Sequence, residues 1–155
     1  MQTVSIEPRM DNPAMVTSDV LPALHDAHKA AMKSGLAAEI AYLVHLRASQ
    51  INGCSYCTEM HARELKESGA SDEKIWAVGA WRESLRFSGA ERAALALTEC
   101  VTRLADRPDP VPDAVYDEAV RYFDTQQLSG LIIEIALINV WNRLNVTIRQ
   151  PSGGE

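Results

Sequence analysis

Leu46-Arg47-Ala48-Ser49-Gln50-Ile51-Asn52-Gly53-Cys54-Ser55-Tyr56-Cys57-Thr58-Glu59-Met60-His61 is the stretch on which the reading of this chain turns. Asn52-Gly53 breaks an apolar run, and Thr58 to Glu67 then reads as strong helix until Gly69 stops it. A helix therefore opens on two thiols, with an imidazole one turn beyond the second. Positions i, i+3 and i+7 share one helix face, so Cys54, Cys57 and His61 point into the same small volume. Free backbone N–H groups and the macrodipole at a helix N-terminus favour a thiolate there.

Outward from this motif, almost everything beyond residue 17 carries helical spacing. Residues 19–34 place Val20, Leu21, Leu24, Ala27 and Ala31 on one stripe, with Ser18 or Asp19 as cap and Gly35 as stop. A helix over about 37–51 leads into the motif. A further helix begins near Asp72 after Ser71 and is expected to run through Trp76 and Trp81. Ser88 with Glu91 forms a capping box for a helix to about Ala105. The Arg107–Pro112 segment is a stiff linker, and Pro112 suits the first position of a short helix through Tyr122. Asp124 with Gln127 caps the last helix, about 125–146, which is apolar nearly all round and so is expected to be buried on several sides or to lie in a subunit interface. The expectation is an all-α domain of about seven helices over 18–149. An N-terminal arm (1–17) precedes it and a flexible tail (150–155) follows.

Composition sets the outer limits. The 155 residues are 46% hydrophobic and 23% charged, which suits one soluble domain with its own core. A net charge of −6 argues against nucleic acid or an anionic membrane surface as partner. The longest apolar run, Leu131 to Val140, is broken by Glu134 and Asn139 and is short for a bilayer span. No secretory leader pattern precedes the domain, and three cysteines do not make a disulfide scaffold, so a cytoplasmic location is expected and the CxxC points to redox or metal chemistry.

The quoted stretch, together with Ala80-Trp81-Arg82-Glu83-Ser84 and Ile138-Asn139-Val140-Trp141-Asn142-Arg143-Leu144-Asn145, resembles the AhpD-like, carboxymuconolactone decarboxylase-related alkylhydroperoxidases. The resemblance covers about Leu24 to Arg149. It implies an all-helical subunit assembled as a homo-oligomer, a trimer or hexamer, that reduces peroxides through its dithiol. No cofactor and no bound metal are implied. An external dithiol, lipoyl or thioredoxin-like, regenerates the thiols. The second cysteine, here Cys57, is the one oxidised. The first, Cys54, supplies a proton and then closes the disulfide, and His61 belongs to a proton relay. The relay glutamate common in the family falls at Tyr42, whose phenol is no ionised acceptor at neutral pH. Glu39 and Glu134 are the candidates to replace it.

The residues support this chemistry on their own terms. Thiolate attack cleaves a peroxide O–O bond, and a nearby imidazole can take the thiol proton. A sulfenic acid at Cys57 is trapped by Cys54 before further oxidation. Position alone favours Cys54 as nucleophile, because it lies nearer the helix start. His61 and the resemblance favour Cys57.

Competing readings attach to each residue. Cys54, Cys57 and His61 as zinc ligands lack a fourth. Cys100 reads as a buried structural thiol. Glu134 is expected on a solvated polar edge of its helix, with a buried relay carboxylate as the alternative. His25, His28 and His45 are expected in surface or packing roles, and Trp76, Trp81 and Trp141 as core or interface anchors. Two other functions compete: a carboxymuconolactone decarboxylase-like lyase, and a non-enzymatic redox sensor.

Overall fold

The computed structural model describes residues 4–153 and, among them, contains helices and no strands. Eight α-helices run in the order α1 (Pro13–Val16), α2 (Val20–Met32), α3 (Ala38–Asn52), α4 (Ser55–Glu67), α5 (Asp72–Ala77), α6 (Gly89–Thr102), α7 (Asp113–Tyr122) and α8 (Thr125–Ile148). Short 3₁₀ turns lie at Val78–Glu83 and Leu104–Asp106. The all-α expectation holds, with one more α-helix than expected: α1, capped by the Asn12 side chain on the Ala14 N–H.

Helix α3 organises the core, packing against α4, α6 and α8. Ile40, Ala41 and Val44 pack with Leu97, Leu131 and Ile135. Leu43 and Leu46, on the other side of the same helix, pack with Leu65, Val78, Trp81 and Leu95. A helix buried on two sides cannot be amphipathic, which is why its apolar residues show no single stripe. Both expected capping boxes form: Ser88 with Glu91 at α6, and Asp124 with Gln127 at α8.

Several boundaries differ from expectation. Asp19 takes the N-cap position of α2 in a left-handed conformation, φ +67°, and caps nothing with its side chain, while Ser18 donates to it. Pro112 is the N-cap of α7 rather than its first residue. The helix expected through both Trp76 and Trp81 ends at Ala77, and Ala80 is non-helical. Gly79 weakens helix there. Trp81 instead turns inward to donate its indole N–H to Glu99 at 2.9 Å, with the Arg82 and Arg92 guanidiniums over its ring. Trp76 is 75% exposed and anchors nothing within this chain.

Helix α8 is, by length and composition, apolar enough to cross a membrane. Here its inner face carries the polar residues Glu134, Asn139, Asn142 and Asn145, each buried and hydrogen-bonded to neighbouring elements. Its outer face leaves Ile132, Ile133 and Val140 exposed, so α8 is not enclosed on all sides within one chain. Beyond α8, the Gln150 N–H bonds the Asn145 carbonyl and Ser152 contacts Ser55 at the start of α4. Residues 1–3 of the arm and 154–155 of the tail lie outside the described residues.

Candidate active site

Gly53 makes the site possible. It ends α3 at φ +66°, a conformation in which L side chains are strained, and its N–H caps the Ser49 and Gln50 carbonyls. The chain reverses there, and Cys54 becomes the N-cap of α4 with its sulfur accepting the Cys57 N–H at 3.3 Å. Cys54 and Cys57 are joined as a disulfide, with their Cα atoms 5.3 Å apart. Both are buried, Cys57 completely. The placement at a helix N-terminus is the one read from the sequence.

Three asparagines of α8 hold this corner. Asn142 donates to Ser49 Oγ at 3.0 Å, and the Asn52 amide donates to Asn139 Oδ1 and Asn142 Oδ1 at 3.0 and 2.9 Å. Asn145 donates to Cys57 Sγ at 3.3 Å and is itself held by the Asn12 side chain at 3.0 Å. Spaced at i, i+3 and i+6, the asparagines form one polar edge. That edge explains why polar residues punctuate an otherwise apolar helix.

His61 is buried, and its Nδ1 lies 2.7 Å from Glu64 Oε2, a partner one turn along the same helix. This bond and the His61 charge hold the Glu64 carboxyl below its ordinary value, more than its burial raises it. The His61 ring is 4.8 Å from the ring of His45, on α3. His45 Nε2 lies 2.7 Å from Glu134 Oε2, and His28 Nδ1 approaches both oxygens of the same carboxylate at 3.0 and 2.9 Å. Burial is the strongest influence on Glu134 and pushes its carboxyl up, but the His45 and His28 contacts together outweigh it and hold the carboxyl below its ordinary value. Burial dominates at His45 and keeps its pKa low, so the neutral imidazole is the resting form. As a donor to Glu134 it carries its hydrogen on Nε2.

Gly130 is what lets α2 reach this cluster. A Cβ there would stand 2.9 Å from the Ala31 carbonyl oxygen. With the helices so close, His28, one turn before Ala31, meets Glu134, one turn after Gly130.

These contacts correct three expectations. Glu134 is fully buried and bonded, not on a solvated edge. His28 and His45 are its partners, His45 buried and His28 still partly at the surface. Glu39 is taken out of the site: it pairs with Lys74 at 2.8 Å, and Lys74 also bonds Glu91. Tyr42 lines the cavity below and makes no hydrogen bond to the cluster. His25 packs near Trp141, ring centroids 6.1 Å apart. Cys100 is buried, as expected, and accepts from Arg107 at 3.2 Å. Glu64 was within reach of sequence reasoning, as an acid at i+3 from His61. The Glu134 contacts, which bridge 89 and 106 residues of chain, carried no local signal.

A cavity of about 500 Å³ opens onto the cluster. His28, His45, His61, Glu64 and Glu134 supply its polar lining. Leu21, Tyr56, Met60, Leu137 and Trp141 supply most of the apolar lining. The sulfurs do not line it. Asn145, which donates to Cys57 Sγ, does line it, as do Tyr56 and His61.

Residues 18–99 match the model of the carboxymuconolactone decarboxylase family. The chain belongs to that family. It is 32% identical to the uncharacterised protein YdfG of Bacillus subtilis (strain 168) over 123 residues, 79% of this chain and 82% of that one. It is also 32% identical to the uncharacterised protein YnjA of Escherichia coli (strain K12) over 122 residues, 79% of this chain and 65% of that one. Among solved structures it resembles ATU0492 of Agrobacterium tumefaciens, a protein of unknown function described as a candidate AhpD antioxidant defence protein. That match has a TM-score of 0.87 and 30% identity, over 96% of this chain and 100% of the other. The debrominase Bmp8, as a cysteine-to-alanine form in complex with 2,3,4-tribromopyrrole, shares the fold at TM-score 0.78 and 20% identity, over 90% and 74% of the two chains. The fold is therefore AhpD-like, as the sequence motifs led us to expect.

Proposed function

We propose that this protein is a thiol-dependent peroxidase in which Cys57 attacks, Cys54 resolves and His61 moves the proton. The observation that carries the reading is the bonded Cys54–Cys57 pair at the start of α4, with buried, carboxylate-backed His61 one turn on. In the dithiol form, His61 Nε2 accepts the Cys57 proton while Nδ1–H stays on Glu64. The thiolate sulfur then attacks the distal peroxide oxygen. The O–O bond breaks, Cys57 becomes a sulfenic acid, and the alkoxide leaves as the alcohol with the relay proton. Cys54 displaces the hydroxyl as water, forming the disulfide. An external dithiol, lipoyl or thioredoxin-like, returns both sulfurs to thiols.

Glu134 takes the place left by the missing glutamate at Tyr42, acting through His45. On this reading the relay carboxylate lies on α8 rather than α3, and the contacts of His28 and His45 with Glu134 at the cavity support it. The exposed α7–α8 face, with Tyr116, Val120, Ile132, Ile133 and Val140, suits contact with further copies in a trimer or hexamer. A cytoplasmic setting would keep the thiols reduced between turnovers.

Steady-state consumption of hydrogen peroxide and cumene hydroperoxide with a recycling dithiol tests the reading, in native protein and in Cys57→Ser. Sustained turnover lost in the variant supports it. A redox sensor oxidises once and stops, and a lyase is indifferent to Cys57→Ser. The size and apolar lining of the cavity favour a second reading. The same dithiol supplies the two electrons needed to replace a halogen of an aromatic ring by hydrogen, releasing halide. Halide release from a bromopyrrole without peroxide turnover selects that reading instead.

A further inference from the structure

We propose that His45 and His61, with Glu64 orienting His61, form a binding site for a divalent transition cation of the zinc class. The site differs from a zinc site built on the CxxC, because it needs neither sulfur. One potential donor atom from each of the three residues lies within 4.8 Å of the others. His45 Nδ1 and His61 Nε2 are both buried without a hydrogen-bond partner, on side chains that are themselves more than nine-tenths buried. The other nitrogen of each ring is held by a carboxylate, Glu134 behind His45 and Glu64 behind His61, both at 2.7 Å. Each ring therefore donates outward to its carboxylate and keeps a lone pair on the free nitrogen.

Two buried lone pairs without donors are costly unless something occupies the space beside them. A water molecule satisfies them, and so does a cation. Charge favours the cation. Among the described residues neither Glu64 nor Glu134 is paired with Lys or Arg, so no fixed cation offsets the two carboxylates behind the rings. A carboxylate on the distal nitrogen is also the arrangement that orients metal-bound histidines and raises their basicity. Two imidazole nitrogens suit zinc, whereas magnesium and calcium prefer oxygen ligands. The adjoining cavity leaves room for water in the remaining positions. A cation here occupies the nitrogen that would accept the Cys57 proton, so it inhibits thiol chemistry reversibly. Only that consequence rests on the peroxidase reading.

The test is calorimetric titration of zinc chloride into the full chain in its disulfide form, where Cys54 and Cys57 cannot ligate. We expect one zinc per chain, a loss of affinity of at least tenfold in His45→Gln and in His61→Gln, a smaller loss in Glu64→Gln, and none in Cys100→Ser. Magnesium should produce no saturable heat. Because the histidine variants place a new amide in the interior, the native protein provides a second readout. Long-range ¹H–¹⁵N spectra should show His45 Nδ1 and His61 Nε2 shifting on zinc addition while His25 stays put. No saturable binding, binding retained in both histidine variants, binding lost in Cys100→Ser, or unmoved His45 and His61 resonances each overturn the proposal and leave water as the occupant. Zinc binding in a protein that turns over no peroxide would sustain this site while removing the peroxidase reading. The converse result would do the opposite.

Discussion

Replacing Glu134 with glutamine tests whether the carboxylate of α8 is the centre of the cluster. Its Oε2 receives His45 at 2.7 Å and His28 at 2.9 Å, and its Oε1 receives His28 at 3.0 Å. A bond to a charged acceptor contributes about 1.5–3 kcal/mol, against about 0.5–1.5 kcal/mol for a neutral one. The amide keeps one acceptor and presents NH₂ where the second oxygen met a donor. Losing about 1 kcal/mol at each histidine gives a destabilisation of about 2 kcal/mol at pH 7. For a domain of this size that lowers the melting temperature by about 4–8 °C. The pH dependence fixes the cause. A carboxyl held below its ordinary 4.5 contributes stability in full above pH 4.5, and that stability is lost as pH falls through the lower folded value. The gap between native protein and Glu134→Gln in chemical denaturation is therefore full at pH 7 and closes below pH 4.5. Peroxide turnover at pH 7 should fall by about 100-fold, the lower end for removing a proton-transfer group. A variant within about 0.5 kcal/mol of native, the range of an ordinary surface change, or a gap unchanged below pH 4.5, would refute the assignment.

Other outcomes follow from the same contacts. Gly130→Ala should push α2 from α8 and break the His28–Glu134 contact, costing turnover in proportion while leaving the disulfide able to form; mass spectrometry of the oxidised protein checks the second point. Gly53→Ala should destabilise the fold by about 1–2 kcal/mol through its left-handed φ alone, read as a shift in the denaturation midpoint. Glu39→Gln should leave turnover unchanged, because Glu39 faces Lys74 rather than the cavity. Cys54→Ser should consume one peroxide per chain and stop, with sulfenic acid trapped on Cys57 by dimedone.

Local rules read the backbone of this site well. The Asn52-Gly53 stop, the thiols at a helix start and two capping boxes are short-range features, each set by a few neighbouring residues, and all of them form. The break at Ala80 escaped because Trp81 is drawn inward by Glu99, a partner 18 residues away, against the local helical pattern. Glu134 was named as a relay candidate, but its partners escaped for a stronger reason. An acid in an apolar helix looks like a solvated edge when its partners sit on two other helices, and only the close approach at Gly130 brings His28 to it. Glu64 was the near miss, on the same helix as His61 and at the right spacing.

In the proposed mechanism His61, backed by Glu64, makes Cys57 a thiolate at neutral pH. Ultraviolet thiolate absorbance of the reduced protein, followed against pH in Cys54→Ser and in Cys54→Ser/His61→Ala, measures this without requiring access to the buried sulfur. Cys57 is expected to ionise well below the ordinary thiol value of about 8.5 and to return toward it when His61 is removed. A Cys57 that titrates near 8.5 in both proteins would contradict it.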